Sequence, residues 1–293
     1  MQTNTKQRII NSPLTKIILG LLLCFVVFIL AQQLVGKILD VTSIDKDFRN
    51  LIRGIIASSF VIGTYICFYS KYEKREIGEF SGRGFVKNSI LGLVMGTTLQ
   101  CLTILVIYLW GDFRIISVNP FSSILTPFAI ALSVAIFEET LLRGIIFRIV
   151  EEKLGSYISL LISAIIFGAV HLLNPDSSVI SSICIGIVGF MFGASYIYSR
   201  NLWLPIAIHF SWNFVQSGIF GAITSGNEKT SSLFTTKISG ADLITGGAFG
   251  PEGTIHATIL WLLVSIIFMV LITKQKKMIE PFWTKYRLAK ADI

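Results

Sequence analysis

Residues 14–35 read LTKIILGLLLCFVVFILAQQLV, a long apolar run whose single charge, Lys16, stands near its start. About 20 mostly apolar residues carry a helix across a hydrocarbon layer of roughly 30 Å, at about 1.5 Å per residue. The run therefore predicts a membrane-spanning helix. The same window, moved outward along the chain, predicts further spans near 52–70, 89–110, 122–142, 156–173, 179–199, 202–221 and 255–273. Bulk composition agrees. The 293 residues are 53% apolar and 14% charged, with a mean hydropathy of +0.73. A soluble domain carries roughly 25% charged residues. Such a chain has too many Phe, Ile and Leu to be disordered, and it matches no collagen, disulfide-framework or coiled-coil composition. The expected fold class is all-α: a polytopic transmembrane bundle of about eight spans, multi-pass in the cell membrane.

The net charge of +8 admits two explanations, a nucleic-acid partner or the Lys/Arg excess that membrane proteins keep on the cytoplasmic side. Placing the charges decides. With the amino terminus inside, 18 of the 25 Lys and Arg fall on inner segments and 7 on outer ones. The inner set includes Lys6, Arg8 and Lys16, the cluster Lys71 to Lys87, Arg143, Arg148, Lys153, Arg200, and the tail with Lys274, Lys276, Lys277, Lys285, Arg287 and Lys290. Both termini are expected in the cytoplasm. Membrane lipid accounts for the basic excess, and no nucleic acid is expected as a partner.

The first run is longer than a signal core and shows no small-x-small cleavage site, so it is expected to be a retained anchor. Cys24, Cys67, Cys101 and Cys184 lie singly within spans, without a CxxC pair, and are expected as small apolar fillers. Residues 222–254, rich in Gly, Ser and Thr, are expected to form an outer loop, partly ordered or a lid. The basic tail 274–293, with Phe282, Trp283 and Tyr286, is expected to lie on anionic headgroups.

Ionisable groups within spans are expensive and so point to function. They fall in three stretches: Phe137-Glu138-Glu139-Thr140-Leu141-Leu142-Arg143, Phe167-Gly168-Ala169-Val170-His171, and His209-Phe210-Ser211-Trp212-Asn213. The remaining histidine, His256, sits at a span edge and is expected to be interfacial. Helical periodicity over 122–154 stops at Gly155 and then resumes, which predicts an antiparallel hairpin with a basic tip in the cytoplasm. Glu138 and His171 stand almost equally far from Gly155, so they should lie level, in the inner part of the membrane. His209, nine residues after Arg200, should reach the same level. Pairs four apart share a helix face. Glu139 should thus pair with Arg143 as a structural ion pair while Glu138 faces a cavity. Residue chemistry alone leaves two classes open, an enzyme and a proton- or ion-coupled transporter.

EExxxR, FxxxH and HxxxN, in this order on separate spans, resemble the CPBP family, the CAAX prenyl endopeptidases and bacteriocin-processing (Abi) membrane proteases. The resemblance covers 122–221. It divides the chain into an N-terminal transmembrane region (1–121), a catalytic core (122–221), the outer loop (222–254), and a last span with its tail (255–293). It implies an intramembrane endopeptidase acting on a peptide or membrane-protein substrate. Glu138 and His171 would activate a water, His209 and Asn213 would form an oxyanion hole, and Glu139, Arg143 and Phe167 would support the site. Family members are commonly labelled metalloproteases. Glu138, His171 and His209 would then hold a divalent metal such as zinc, with a fourth position open. HExxH is absent, and a metal-free water activated by glutamate fits the sequence equally. The alternatives to proteolysis are the transporter and a non-catalytic resistance or scaffold protein that keeps the motifs.

Overall fold

Ser12 begins the first helix: its hydroxyl accepts from the Thr15 N–H, and Pro13 takes the first helical position, where no N–H is missed. This helix, α1 (Pro13–Asp40), is followed by α2 (Lys46–Tyr72) and α3 (Phe85–Trp110). A computed structural model describes residues 10–284. Lys6, Arg8, Lys285, Tyr286, Arg287 and Lys290, which the sequence analysis assigns to the cytoplasmic tails, lie outside the described residues.

A short strand, β1 (Asp112–Val118), and a single 3-10 turn (Phe121–Ile124) lead into α4 (Leu125–Glu139). The helix then widens into a π-helical stretch, Thr140–Phe147, before α5 (Arg148–His171). Next come α6 (Val179–Ser199) and α7 (Trp203–Phe214), the latter running on as π-helix through Val215–Ile219. The strand β2 (Phe234–Ser239), a short helix α8 (Asp242–Thr245) and α9 (Ile255–Lys274) complete the order. Among the described residues, six helical runs are long and apolar enough to cross a membrane. The fourth and fifth expected spans are one such run, Phe121–His171, folded at Gly155. The seventh expected span is α7 with its π-helical extension.

Gly155 makes the fold-back, with φ 80° and ψ 169°, a region open essentially to glycine alone. Register confirms the hairpin: the Arg143 guanidinium, twelve residues before Gly155, lies 4.7 Å from the ring centre of Phe167, twelve after it. The carbonyl of Ile279 accepts from the Ser156 N–H, and the Ile279 N–H donates to the Ser156 hydroxyl. Arg200 reaches Glu151 and the Lys277 carbonyl, and the Lys277 amine donates to the Tyr198 carbonyl. The described start of the tail is therefore strapped across the hairpin tip, which is more than the headgroup contact expected of it.

Helix neighbours are α1 with α2, α2 with α4, α3 with α7, α5 with α6, and α6 with α9. Small residues allow these approaches, as they must where lipid supplies no hydrophobic drive between helices. A Cβ on Gly96 of α3 would lie 2.1 Å from Ser211 Oγ and 2.4 Å from the Ile208 carbonyl. Long apolar side chains such as Leu22, Val94 and Ile266 stay exposed around the bundle, a surface suited to lipid and not to water. At the expected inner end, Arg148 and Arg75 bridge Glu73 and Glu79, and Lys16 joins Glu73. Burial works to raise the Glu73 carboxyl, but hydrogen bonds from Arg75 and Lys16 and the charge of Arg148 hold it below its ordinary value.

The loop 222–254 is partly ordered. Its strand β2 pairs antiparallel with β1, Asp112 opposite Ser239 and Val118 opposite Phe234, with a bulge between Ile115 and Ser117. This ties the loop to the α3–α4 connection. His256 sits half-buried in the first turn of α9, hydrogen-bonded to Thr254 and the Thr103 carbonyl.

Candidate active site

Glu138 and Glu139 end α4 at the point where the helix widens, and single π turns of this kind recur at functional sites. A second widening directly follows Asn213. The two neighbouring carboxylates, offset by ~100° on the helix, stand at opposite ring nitrogens of His209. Glu139 is fully buried and its Oε1 accepts from Arg143 Nη1 at 2.9 Å and from His209 Nδ1 at 3.1 Å. Arg143, also 0% exposed, donates through Nη2 to the Gly189 carbonyl at 2.8 Å and lies against the rings of Phe167 and Phe192. Glu138 remains 28% exposed, with Oε2 4.0 Å from His209 Nε2. That oxygen has no hydrogen-bond partner among the described residues.

Both histidines are held from behind. His171, at the end of α5, turns Nδ1 to the Phe167 carbonyl at 2.8 Å, which leaves Nε2 free. His209 turns Nδ1 to Glu139 and stacks on Phe192 at 4.9 Å. Phe167 contacts His171, His209 and the Arg143 guanidinium, so it forms the floor under both imidazoles. Glu139 is thus the carboxylate behind His209 that the sequence did not reveal.

Glu138, His171, His209 and Asn213 line one cavity of about 660 Å³. Its rim is formed by Asn174, Pro175, Thr224, Ser225, Asn227, Glu228 and Thr230. Those segments stand at the end of the bundle that the basic residues assign to the outside. Glu138, His171 and His209 open on one cavity, at the end of the bundle away from the hairpin tip. The reason is chain direction: α5 and α7 deliver His171 and Asn213 close to their exits toward 172–178 and 222–230.

Sequence reasoning missed four contributors here. Asn174 donates to the Ser225 carbonyl at 2.7 Å and pins the rim. Ser225 holds a left-handed φ of 53°, and its hydroxyl donates to Glu252. Glu228 lines the mouth. Glu252 is 3% exposed and also accepts from Trp212 Nε1 at 3.3 Å. Burial raises the Glu252 carboxyl above its ordinary value, opposed by the Ser225 hydrogen bond and by electrostatic coupling to His171. No periodicity marks Glu252, which lies in a glycine-rich loop outside every span.

Glu138, His171 and His209 open on the same cavity. Among the described residues no three His, Cys, Asp or Glu side chains gather into a group able to hold a metal ion. His209 Nδ1 and His171 Nδ1 are committed to Glu139 and to a backbone carbonyl. Each ring keeps Nε2 clear of these bonds, and imidazoles that ligate metals are commonly held from behind in this way.

Residues 120–215 match the family model "Type II CAAX prenyl endopeptidase Rce1-like". That match spans all three motifs and every helix that supplies Glu138, His171, His209 and Asn213. It suggests membrane protease activity of the CAAX type, acting on a membrane-associated peptide or protein. No curated protein and no solved structure matches the chain.

Proposed function

We propose that the chain is a membrane-embedded endopeptidase in which Glu138 activates the attacking water. The observation that carries this is the convergence of Glu138, His171, His209 and Asn213 on one cavity, with Glu138 Oε2 without a hydrogen-bond partner among the described residues. A separation of 4.0 Å between Glu138 Oε2 and His209 Nε2 suits a bridging water and not a direct hydrogen bond. Glu138 takes a proton as the water oxygen attacks the peptide carbonyl carbon. His171 Nε2, its ring fixed by the Phe167 carbonyl, accepts from the same water and aims it. The oxyanion that forms receives the Asn213 amide N–H and, when His209 is doubly protonated, its Nε2–H. When the C–N bond breaks, Glu138 returns its proton to the leaving amine. Positioned acid–base groups contribute roughly 10²–10⁴-fold, and donors aimed at an oxyanion a comparable factor.

Glu139 and Arg143 do not touch substrate in this scheme. They hold His209 and each other in a dry layer below the cavity. Lipid surrounds the bundle, and the cell membrane is its proposed location. The test compares membrane peptides from cells carrying the wild type and the Glu138→Ala, His171→Ala and His209→Ala variants at matched levels. The uncleaved substrate should accumulate in all three. An unchanged peptide pattern in all three, with the proteins inserted normally, would contradict the proposal.

A further inference from the structure

A second, smaller cavity of about 170 Å³ lies between α1, α2 and α4. Its polar lining comes from Gln32, Asn50, Arg53, Thr126 and Ser133. Ile130 and Val134 line both this cavity and the one that holds Glu138, so a single ridge of α4 separates the two. Arg53 stands about two turns into α2, and a charged group within a spanning helix points to function. Gly36 of α1 leaves room for it, since a Cβ there would lie 3.4 Å from Arg53 Nη1. The carboxylates that precede Arg53 in the chain are engaged elsewhere. Asp47 accepts from the Thr126 hydroxyl at 2.7 Å, Asp40 pairs with Arg49 at 3.3 Å, and Asp45 accepts from the Asp47 N–H. Asn50 donates to Thr126, and the Ser133 hydroxyl donates to backbone carbonyls. The side-chain N–H groups of Arg53 and Gln32 have no partner among the described residues.

Two sets of unused donors, one of them cationic, in a cavity with no acidic lining residue select an anion. A guanidinium suits a carboxylate best, because its planar fork of N–H groups meets both oxygens. Position ties that anion to the peptide. Gly54, next to Arg53, packs α2 onto α4, where a Cβ would lie 3.0 Å from the Ala129 carbonyl oxygen and 2.9 Å from Ser133 Oγ. From Ser133 and Ala129 to Glu138 is roughly 8–14 Å along α4, which an extended peptide crosses in about two to four residues. We propose that Arg53, assisted by Gln32, receives a carboxylate of the substrate peptide, about two to four residues from the bond cut at Glu138. That carboxylate is the chain terminus or an Asp or Glu side chain. Arg53 is then a specificity-determining residue outside the three motifs and outside the stretch 120–215 that the family model covers. This rests on proteolysis at Glu138.

The test uses the full-length protein in liposomes and a membrane-tethered peptide library, randomised without Asp or Glu at four positions after the anchor. The library is made in three forms: with a free carboxyl end, with an amide end, and with an amide end preceded by Asp. Products are quantified by mass spectrometry, and kcat/KM is compared between forms. The wild type should cut a carboxylate-bearing form about tenfold better than the plain amide form, the factor expected of one hydrogen bond to a charged group. Preference for the free-acid form alone assigns the chain terminus, and recovery by Asp assigns the side chain. Arg53→Met should bring the forms to parity. Gln32→Leu, which keeps the cation, should weaken the preference part-way, at an apparent Tm close to that of the wild type. Parity among the forms in the wild type, a preference that survives Arg53→Met, or an equal loss on all three forms, as a lipid headgroup or a purely structural role would give, would overturn the inference alone. Absence of cleavage by the wild type, indistinguishable from Glu138→Ala, would overturn the protease reading with it.

Discussion

Removing the guanidinium with Arg143→Met should unfold the protein more readily than removing both charges of its ion pair. Arg143 and Glu139 are each 0% exposed and 2.9 Å apart. Arg143 Nε and Glu139 Oε2 have no hydrogen-bond partner among the described residues, and the direct pair between Nη1 and Oε1 is what balances the two charges. Stranding one member of a buried pair costs about 3–5 kcal/mol. Lost contact with Phe167 and Phe192 adds about 0.5–1 kcal/mol for each ring. At roughly 2–4 °C per kcal/mol for a chain of this class, Arg143→Met should lower the apparent Tm by on the order of 10 °C. Glu139→Gln strands Arg143 and should act in the same direction. The double variant Glu139→Gln/Arg143→Met leaves no uncompensated charge, so it should be more stable than either single one, with a strong coupling energy. The assay is tryptophan fluorescence during heating in one detergent at one scan rate. A double variant as unstable as the sum of the singles would refute the claim that these charges are coupled. Activity should stay low in the double variant, because His209 loses the carboxylate that holds Nδ1.

Gly155→Ala places a Cβ 2.9 Å from the Ile279 carbonyl oxygen at φ +80°. It should destabilise the hairpin tip by about 2–4 kcal/mol, measured as a lower apparent Tm and faster proteolysis of the tail. Folding raises the Glu252 carboxyl, so its stabilising contribution is complete below the ordinary carboxylate range and is lost as pH rises through the raised value. The rim loop should accordingly be nicked faster at pH 8 than at pH 5 relative to Glu252→Gln, whose ratio should be flat. An Asn227→Cys probe, in a chain freed of its four cysteines, should react with an impermeant thiol reagent on intact cells. A Lys74→Cys probe should react only after lysis, and the reverse pattern would invert the assigned orientation.

The legible parts of this molecule are those encoded locally. Eight apolar windows anticipated the helical legs because span length is a property of contiguous residues. Glu138 and His171 could be levelled because Gly155 marks the turn and helical rise is constant. The i,i+4 pairs, Glu139 with Arg143 and His209 with Asn213, followed from the same regularity. What stayed hidden depends on distant chain. Glu252 reaches Trp212 and Ser225 through a loop whose course is set by pairing of β1 with β2, and no local pattern encodes that register. The Gly189 carbonyl that receives Arg143 is a backbone group, silent in sequence. The end at which the cavity opens is silent too, because charge counts orient helices without locating a polar pocket.

The central claim is that Glu138 activates the hydrolytic water. It is tested most directly by single-turnover cleavage of the substrate by purified, reconstituted wild type and Glu138→Gln, each with and without chelator. Glu138→Gln should lose about 10²–10⁴-fold in the chemical step at an unchanged apparent Tm, and the wild-type rates with and without chelator should be equal. A Glu138→Gln rate close to that of the wild type would contradict it.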